Sequence, residues 1–402
     1  MEVFMTGKRG IIAFFFIVFM FLGLYMSMLQ RVVSEIAIKY SLDNTAMGMM
    51  IMMTFVGFVI SPILTGEATD RYGRKIVLLF AFVIILTGFA MALLIDSPVG
   101  VGAGFFVVGL AFGVFEMTLS SVITDIQPET ANRILTYSRL LFALGTISGP
   151  FLAMGIMSAT NDWIYVMLFN LIIFFILLVI FLLLSYPTAK YPNMMVAEKS
   201  KSPVTITMLK NKTLLLISLS VMMYIAVETG LTFYVSKYID QMNRGMLFSS
   251  LTLSVFWLCV AIGRVATARF NKNLHVVIGS LALLAGAGLI ICLATSDLTL
   301  SIIAFGIMGF GASGMYPTML AVGKIRFPQY TGTAFGIILS IGATGGILHP
   351  IVMGAVADAS NLKAALGVCL VPLLLIVILQ IALRSSDPEK PKRNTIQGEP
   401  GR

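Results

Sequence analysis

Runs of about twenty apolar residues follow one another along nearly the whole chain, each long enough to cross a hydrocarbon core of ~30 Å as a helix. Short polar or Pro/Gly-containing turns separate them. The runs show no two-residue alternation of apolar and polar positions, so they read as helices and not as strands of a membrane barrel. In lipid every backbone amide must find its partner within its own segment or in a closed barrel, which leaves helices as the spanning element. Twelve spans are predicted, over residues 11–36, 45–66, 76–95, 101–124, 135–159, 163–185, 212–239, 246–269, 274–295, 298–322, 331–357 and 363–383.

Only one connection is long. The stretch "YPTAKYPNMMVAEKSKSPVTITMLKNK", residues 186–212, is rich in proline and lysine and divides the spans six and six. The expected organisation is a six-helix bundle over 1–185, a linker over 186–211, a second bundle over 212–383 and a polar tail over 384–402. The fold class is all-α membrane protein.

Composition agrees with this pattern and excludes other classes. Hydrophobic residues make up 58% of the 402 residues and charged ones 11%, against about 25% charged in soluble domains. A net charge of +9 would suggest nucleic acid in a soluble chain, but here its placement matters more. With the N-terminus in the cytoplasm, most of the 27 lysines and arginines face the cytoplasm. Lys39, Lys237, Arg244 and Lys363 lie outside, and Arg31, Arg139 and Arg264 lie within spans. By the positive-inside rule both termini and the linker are cytoplasmic. The first apolar run follows Lys8 and Arg9 and continues to Leu29 without a small-residue cleavage site, so it reads as span 1 and not as a signal peptide. Cys259, Cys292 and Cys369 sit inside apolar runs without paired spacing and read as small core residues, with no metal or disulfide expected.

The two halves resemble each other. Span 4 holds "GLAFGVFE" and span 10 "GIMGFGASGMYPT"; span 5 reads "GTISGPFLAMG" and span 11 "GGILHPIVMG". Repeats of this kind occur in secondary transporters, which place their substrate where the repeats meet. Small residues at four-residue spacing (Gly109/Gly113, Gly145/Gly149, Gly332/Gly336) permit close helix packing.

Between spans 2 and 3 lies "GEATDRYGRK", dense in charge in a chain that keeps few. Orientation explains Arg71, Arg74 and Lys75, and Gly73 permits a tight turn, but acidic residues contribute little to orientation, so Asp70 asks for another role. The stretch resembles the G-x-x-x-D-R-x-G-R-K signature of the major facilitator superfamily, with Gly66, Asp70, Arg71, Gly73, Arg74 and Lys75 on the pattern. The resemblance covers essentially the whole chain. It implies two pseudo-symmetric six-helix bundles and a latch in which Asp70 faces the start of span 11, Thr331-Gly332, where exposed amides and the helix dipole favour an anion.

Carboxylates deep in a span are functional candidates by default, and Glu116 in span 4 and Glu228 in span 7 are two such groups. Arg264 and His349 add ionisable groups in spans 8 and 11, and Gln30 and Arg31 occupy the outer half of span 1. "GLAFGVFE" followed by "PETANRILTYSRLLFALGTISGP", with Phe256, Trp257, Gly263 and Arg264, resembles the fucose/glucose symporter branch. That branch carries a glutamate where Glu116 stands. Arg139 replaces a common histidine and Gln30 an aspartate. The resemblance implies a proton-coupled carrier of a sugar-like solute, with the proton on Glu116 and substrate contacts at Glu228. Arg31 is expected to snorkel to the outer interface or to serve the site, and Arg139 to reach cytoplasmic water. His349 is expected to bond a carbonyl freed by Pro350, and Trp257 to pack or stack on a sugar.

"GTISGPFLAMG" also resembles the span 5 motif of proton-driven drug exporters, which leaves an efflux antiporter as the alternative; a non-transporting sensor is the alternative of another class. No enzyme is expected, since there are only 2 histidines and neither an H-E-x-x-H nor a G-x-S-x-G motif. The expected partners are a small solute, a proton and the lipid bilayer, with no nucleic acid, no cofactor and a monomeric chain in the plasma membrane.

Overall fold

The structure, a computed structural model, describes residues 8–126, 131–184, 208–242, 245–267, 269, 273–327 and 331–385. The side chains at 8, 9, 62–72, 120, 121, 123–126, 131–133, 135, 136 and 331–333 lie outside the described set. The linker of residues 186–211 and the tail of 384–402 therefore fall largely outside it.

Among the described residues there is no strand, and twelve helices are long and apolar enough to cross a membrane. The first half contains α1 (Lys8–Lys39), α2 (Asn44–Tyr72), α3 (Arg74–Leu94), α4 (Pro98–Ile126), α5 (Ala131–Thr160) and α6 (Ile164–Leu183). The second contains α7 (Lys212–Asp240), α8 (Met246–Thr267), α9 (Leu274–Ala294), α10 (Leu298–Ser313), α11 (Met315–Arg326), α12 (Thr331–Ala359), α13 (Leu362–Gly367) and α14 (Leu370–Ser385). Helices α10 and α11 together form span 10, α12 is span 11, and α13 with α14 forms span 12.

Within the first bundle α1 packs on α5, α2 on α4, and α3 on α4 and α6; in the second, α7 packs on α12, α8 on α10, and α9 on α10 and α14. The bundles meet along α2 against α12, α5 against α8 and α1 against α7. Aromatic rings fill the first bundle: Phe82 meets Phe115 edge-on at 4.8 Å, and Phe14 stacks on Phe181 at 5.8 Å.

The close helix approaches repeat between halves at an interval of two hundred residues. A Cβ on Gly109 would lie 2.1 Å from the Thr54 carbonyl oxygen, and one on Gly309 would lie 2.3 Å from that of Phe256. Gly145 meets the Met20 carbonyl oxygen and Gly345 that of Met222, each at 2.1 Å from the Cβ position. One seam is swapped: Gly113 of α4 accommodates Ser61 of α2, whereas Gly263 of α8 accommodates Ser313 of α10. Both arrangements place one small residue on each helix, so the backbones approach equally.

Three expectations change. The charged stretch, expected between spans 45–66 and 76–95, is mostly helical, because α2 continues to Tyr72 and α3 starts at Arg74. The reversal falls on Gly73 alone, at φ 81° and ψ 156°, a backbone that strongly favours glycine. Gly66, Asp70 and Arg71 belong to the last turns of α2, with side chains outside the described set, as are those of Thr331 and Gly332. Span 10 is broken at Gly314. Pro317 cannot donate to the Ser313 carbonyl, and its ring clashes with that group, so a continuous helix fails there. Span 12 is interrupted at Val368 and Cys369, where i→i−3 bonds such as Cys369 N to Leu366 O (3.0 Å) replace the regular ladder.

Candidate functional site

Four charged side chains from four helices gather around one tyrosine. Arg139 of α5 donates from Nη2 to Glu116 Oε1 of α4 as an ion pair, and its guanidinium lies 5.5 Å from the Phe19 ring centre. In α7, Tyr224 Oη donates to Glu228 Oε1 at 2.8 Å, one helical turn away, and Arg264 of α8 acts on Glu228 electrostatically. Tyr316 stacks on Tyr224 at 5.7 Å and interacts with Arg139, Glu116, Glu228 and Arg264 alike. It stands at the start of α11, just past the Gly314 break, two hundred residues after Glu116. The broken helix of the second half thus presents a phenol where the first half presents a carboxylate.

Polar capacity is left over in this group. Glu116 Oε2 and Arg264 Nε are buried without a hydrogen-bond partner. The Arg139 side chain is 46% exposed and that of Glu116 20%, so the pair is only partly covered by protein. Arg139 is thus both half-exposed and paired, and Glu116 is not an isolated carboxylate. Donors and acceptors face the same space from both bundles.

A second constellation joins the bundles at the end opposite the chain's N-terminus. The Asp358 carboxylate, at the end of α12, accepts from Asn44 N (2.8 Å), Asn44 Nδ2 (2.7 Å), Thr45 N (2.8 Å) and Thr45 Oγ1 (2.6 Å). These groups are the start of α2, whose first amides have no partner within the helix. An aspartate from the opposite bundle supplies the cap. Beside it Tyr234 Oη donates to Pro350 O at 2.8 Å. Arg31 pairs with Glu35 (3.3 Å) and with Asp240 of α7 (3.5 Å) while only 1% exposed, so it is a buried tie between bundles and does not snorkel. Trp257 Nε1 donates to Gln30 Oε1 at 3.0 Å, and Ser254 Oγ to Ile147 O at 2.8 Å, each between bundles. Trp257 is thereby occupied by Gln30. In the turns at this end, Tyr40 and Lys39 both bond Asp96, which holds its carboxyl below the usual range.

His349 stands apart from the charged group. Its Nε2 lies 3.4 Å from Cys369 Sγ, so its partner is a thiol and not a carbonyl freed by Pro350. Of the signature residues with described side chains, Gly73 is exposed and Arg74 and Lys75 are half-buried.

Tyr224, Tyr316, Asp240 and Asp358 escaped the sequence reading. Aligning the halves at their glycines would have set Tyr316 opposite Glu116. Asp358 resembled an ordinary polar residue at a span end.

A family model described as Major Facilitator Superfamily matches residues 11–348 and also 268–401. An uncharacterized MFS-type transporter of Yersinia pestis is 23% identical over 364 residues, covering 89% of this chain and 92% of that protein. Among solved structures, the nucleoside transporter NupG aligns with a TM-score of 0.72 at 15% identity, covering 93% of this chain and 98% of NupG. A variant of the E. coli fucose:proton symporter FucP aligns with a TM-score of 0.66 at 18% identity, over 93% and 98%.

Proposed function

The chain belongs to the Major Facilitator Superfamily, and from that premise we propose that it carries a small, hydroxyl-bearing solute across the plasma membrane by proton-coupled alternating access. The observation that carries this reading is the Glu116–Arg139 pair, partly exposed and grouped through Tyr316 with Tyr224, Glu228 and Arg264 of the other bundle. A sugar or nucleoside hydroxyl both donates and accepts. Glu116 keeps one carboxylate oxygen to receive such a hydrogen, and Arg139 keeps guanidinium hydrogens to give. Glu228 offers the corresponding acceptor from the other bundle. An apolar drug would leave these groups unsatisfied at a cost, which disfavours the efflux alternative. Likeness to a fucose:proton symporter and to a nucleoside transporter supports the same solute class.

Glu116 is assigned the coupling proton. Ionised, it forms a neutral pair with Arg139; protonated, it weakens its hold on the guanidinium and presents a hydroxyl of its own. The proton state and the solute contacts thus share one carboxylate, which is the linkage a symporter needs. Asp358, Arg31–Asp240 and Gln30–Trp257 tie the bundles at the end that is outermost if both termini are cytoplasmic. The arrangement then corresponds to a state closed to the outside, with Asp70 assigned to hold the inner side when it closes.

The test is uptake by the purified chain in proteoliposomes, offered radiolabelled fucose, glucose, uridine and a lipophilic cation, with and without an inward proton gradient. Gradient-dependent accumulation of a sugar or nucleoside is expected. Movement of the lipophilic cation alone would overturn the solute class, and movement of nothing would favour the sensor.

A further inference from the structure

On the face of α7 turned away from Glu228, three soft or borderline donors converge. Gly230 follows Glu228 by two residues, roughly 200° around the helix. A Cβ there would lie 2.5 Å from Met353 Sδ, 2.9 Å from His349 Cδ2 and 3.0 Å from Cys369 Sγ. The missing side chain at Gly230 is what lets the three groups share one place. His349 and Met353 are one turn apart on α12 and share a face. Cys369 comes from the interruption in span 12, where the irregular backbone turns it toward α12. His349 Nε2 is 3.4 Å from Cys369 Sγ, and Cys369 Sγ is 3.8 Å from Met353 Sδ. Their exposures are 8% for His349 and 0% for Met353 and Cys369.

We propose that His349, Met353 and Cys369 form a binding site for a soft monovalent cation, Cu(I) or Ag(I). The thiol carries a single hydrogen and can offer it to the imidazole or the thioether, never to both. With Nε2 unprotonated, the imidazole, thiol and thioether all turn lone pairs to one another, and a cation at their centre engages all three. Ligands bonded at ~2.0–2.3 Å and spread trigonally or tetrahedrally lie roughly 3.3–4.0 Å apart, which is the range of the two separations that Cys369 Sγ makes. Thiolate and thioether select Cu(I) among the common metals. On binding, the Cys369 thiol releases its proton to solvent as the sulfur–metal bond forms. A monovalent cation with one thiolate is neutral overall, whereas Zn(II) with the same ligands would leave a positive charge buried. The methionine-rich start of α2 packs against the same turn of α12, with the Gly48 Cβ position 2.3 Å from Pro350 O. The site is separate from the charged group around Tyr316 and does not depend on the transport reading.

The test uses the full chain carrying Cys259→Ser and Cys292→Ser, so that Cys369 is the sole thiol. Cu(I) is titrated in ascorbate against the chromophoric chelator bathocuproine disulfonate. One Cu(I) per chain is expected, with X-ray absorption showing two sulfurs and one nitrogen. Cys369→Ser should abolish retention. Met353→Leu, nearly isosteric and so expected to fold, should weaken affinity at least tenfold while leaving metal-free thermal unfolding unchanged. Failure of the parent to hold copper against the chelator, or full affinity in Met353→Leu, would overturn the site.

Discussion

At Arg139 a planar fork of donors lies against a carboxylate that keeps one oxygen unpartnered. Lysine retains the charge but loses the fork and with it the second contact a solute could take. Hydrogen bonds to charged groups contribute ~1.5–3 kcal/mol, or about ten- to hundredfold in affinity. Arg139→Lys should weaken solute binding by that factor with little change in thermal stability, because the side chain is 46% exposed; equilibrium binding to the purified variant checks this. Glu116 and Glu228 stood out in the sequence as carboxylates within apolar runs. The Glu116–Arg139 pairing was not, since it depends on how α4 and α5 rotate against each other. Cys369 read as a small core residue because its partners come from another helix, and spacing along one chain segment shows none of them.

Helix against helix, the decisive parts are glycine seams and one cap. Gly109 faces a backbone carbonyl that cannot move aside, so Gly109→Ala should destabilise by ~1–3 kcal/mol, as overpacking does. Gly286 has open space at its Cβ position, and Gly286→Ala should stabilise by ~0.5–1 kcal/mol through backbone entropy. Melting temperatures in detergent should therefore move in opposite directions. The cap is Asp358 on the start of α2. Asp358→Asn removes the charge and one acceptor, ~1–2 kcal/mol for an N-cap, a shift of about five- to thirtyfold in a two-state equilibrium. Alkylation of a cysteine placed at Ala357, buried next to Asp358, should speed up accordingly. An unchanged rate would reduce the cap to a static contact. Span positions were readable from hydrophobic length alone. The turn at Gly73 was readable, though not that both helices run up to it; the break at Gly314 was not located, because a proline or glycine in lipid is compatible with either a kink or a full stop.

For the molecule as a whole, two six-helix bundles followed from the run lengths and the single long connection, and the shared glycines announced their likeness. How the bundles close on each other was beyond the sequence, because those contacts pair residues hundreds apart. With both termini cytoplasmic, a cysteine at Asp297 should be labelled only from outside and one at Asn273 only from the cytoplasm; both positions are exposed. Reversed labelling would invert the inner and outer assignments above.

The central claim is that Glu116 links the proton to the solute. Glutamine keeps the shape of a protonated glutamate and cannot release the proton. The measurement is a comparison, in one preparation of proteoliposomes, of gradient-driven accumulation and of exchange at zero gradient for the solute that the wild-type chain accumulates. The account predicts that Glu116→Gln retains exchange and loses accumulation altogether. Accumulation by Glu116→Gln against a gradient would contradict it and pass the coupling role to Glu228 or to another ion.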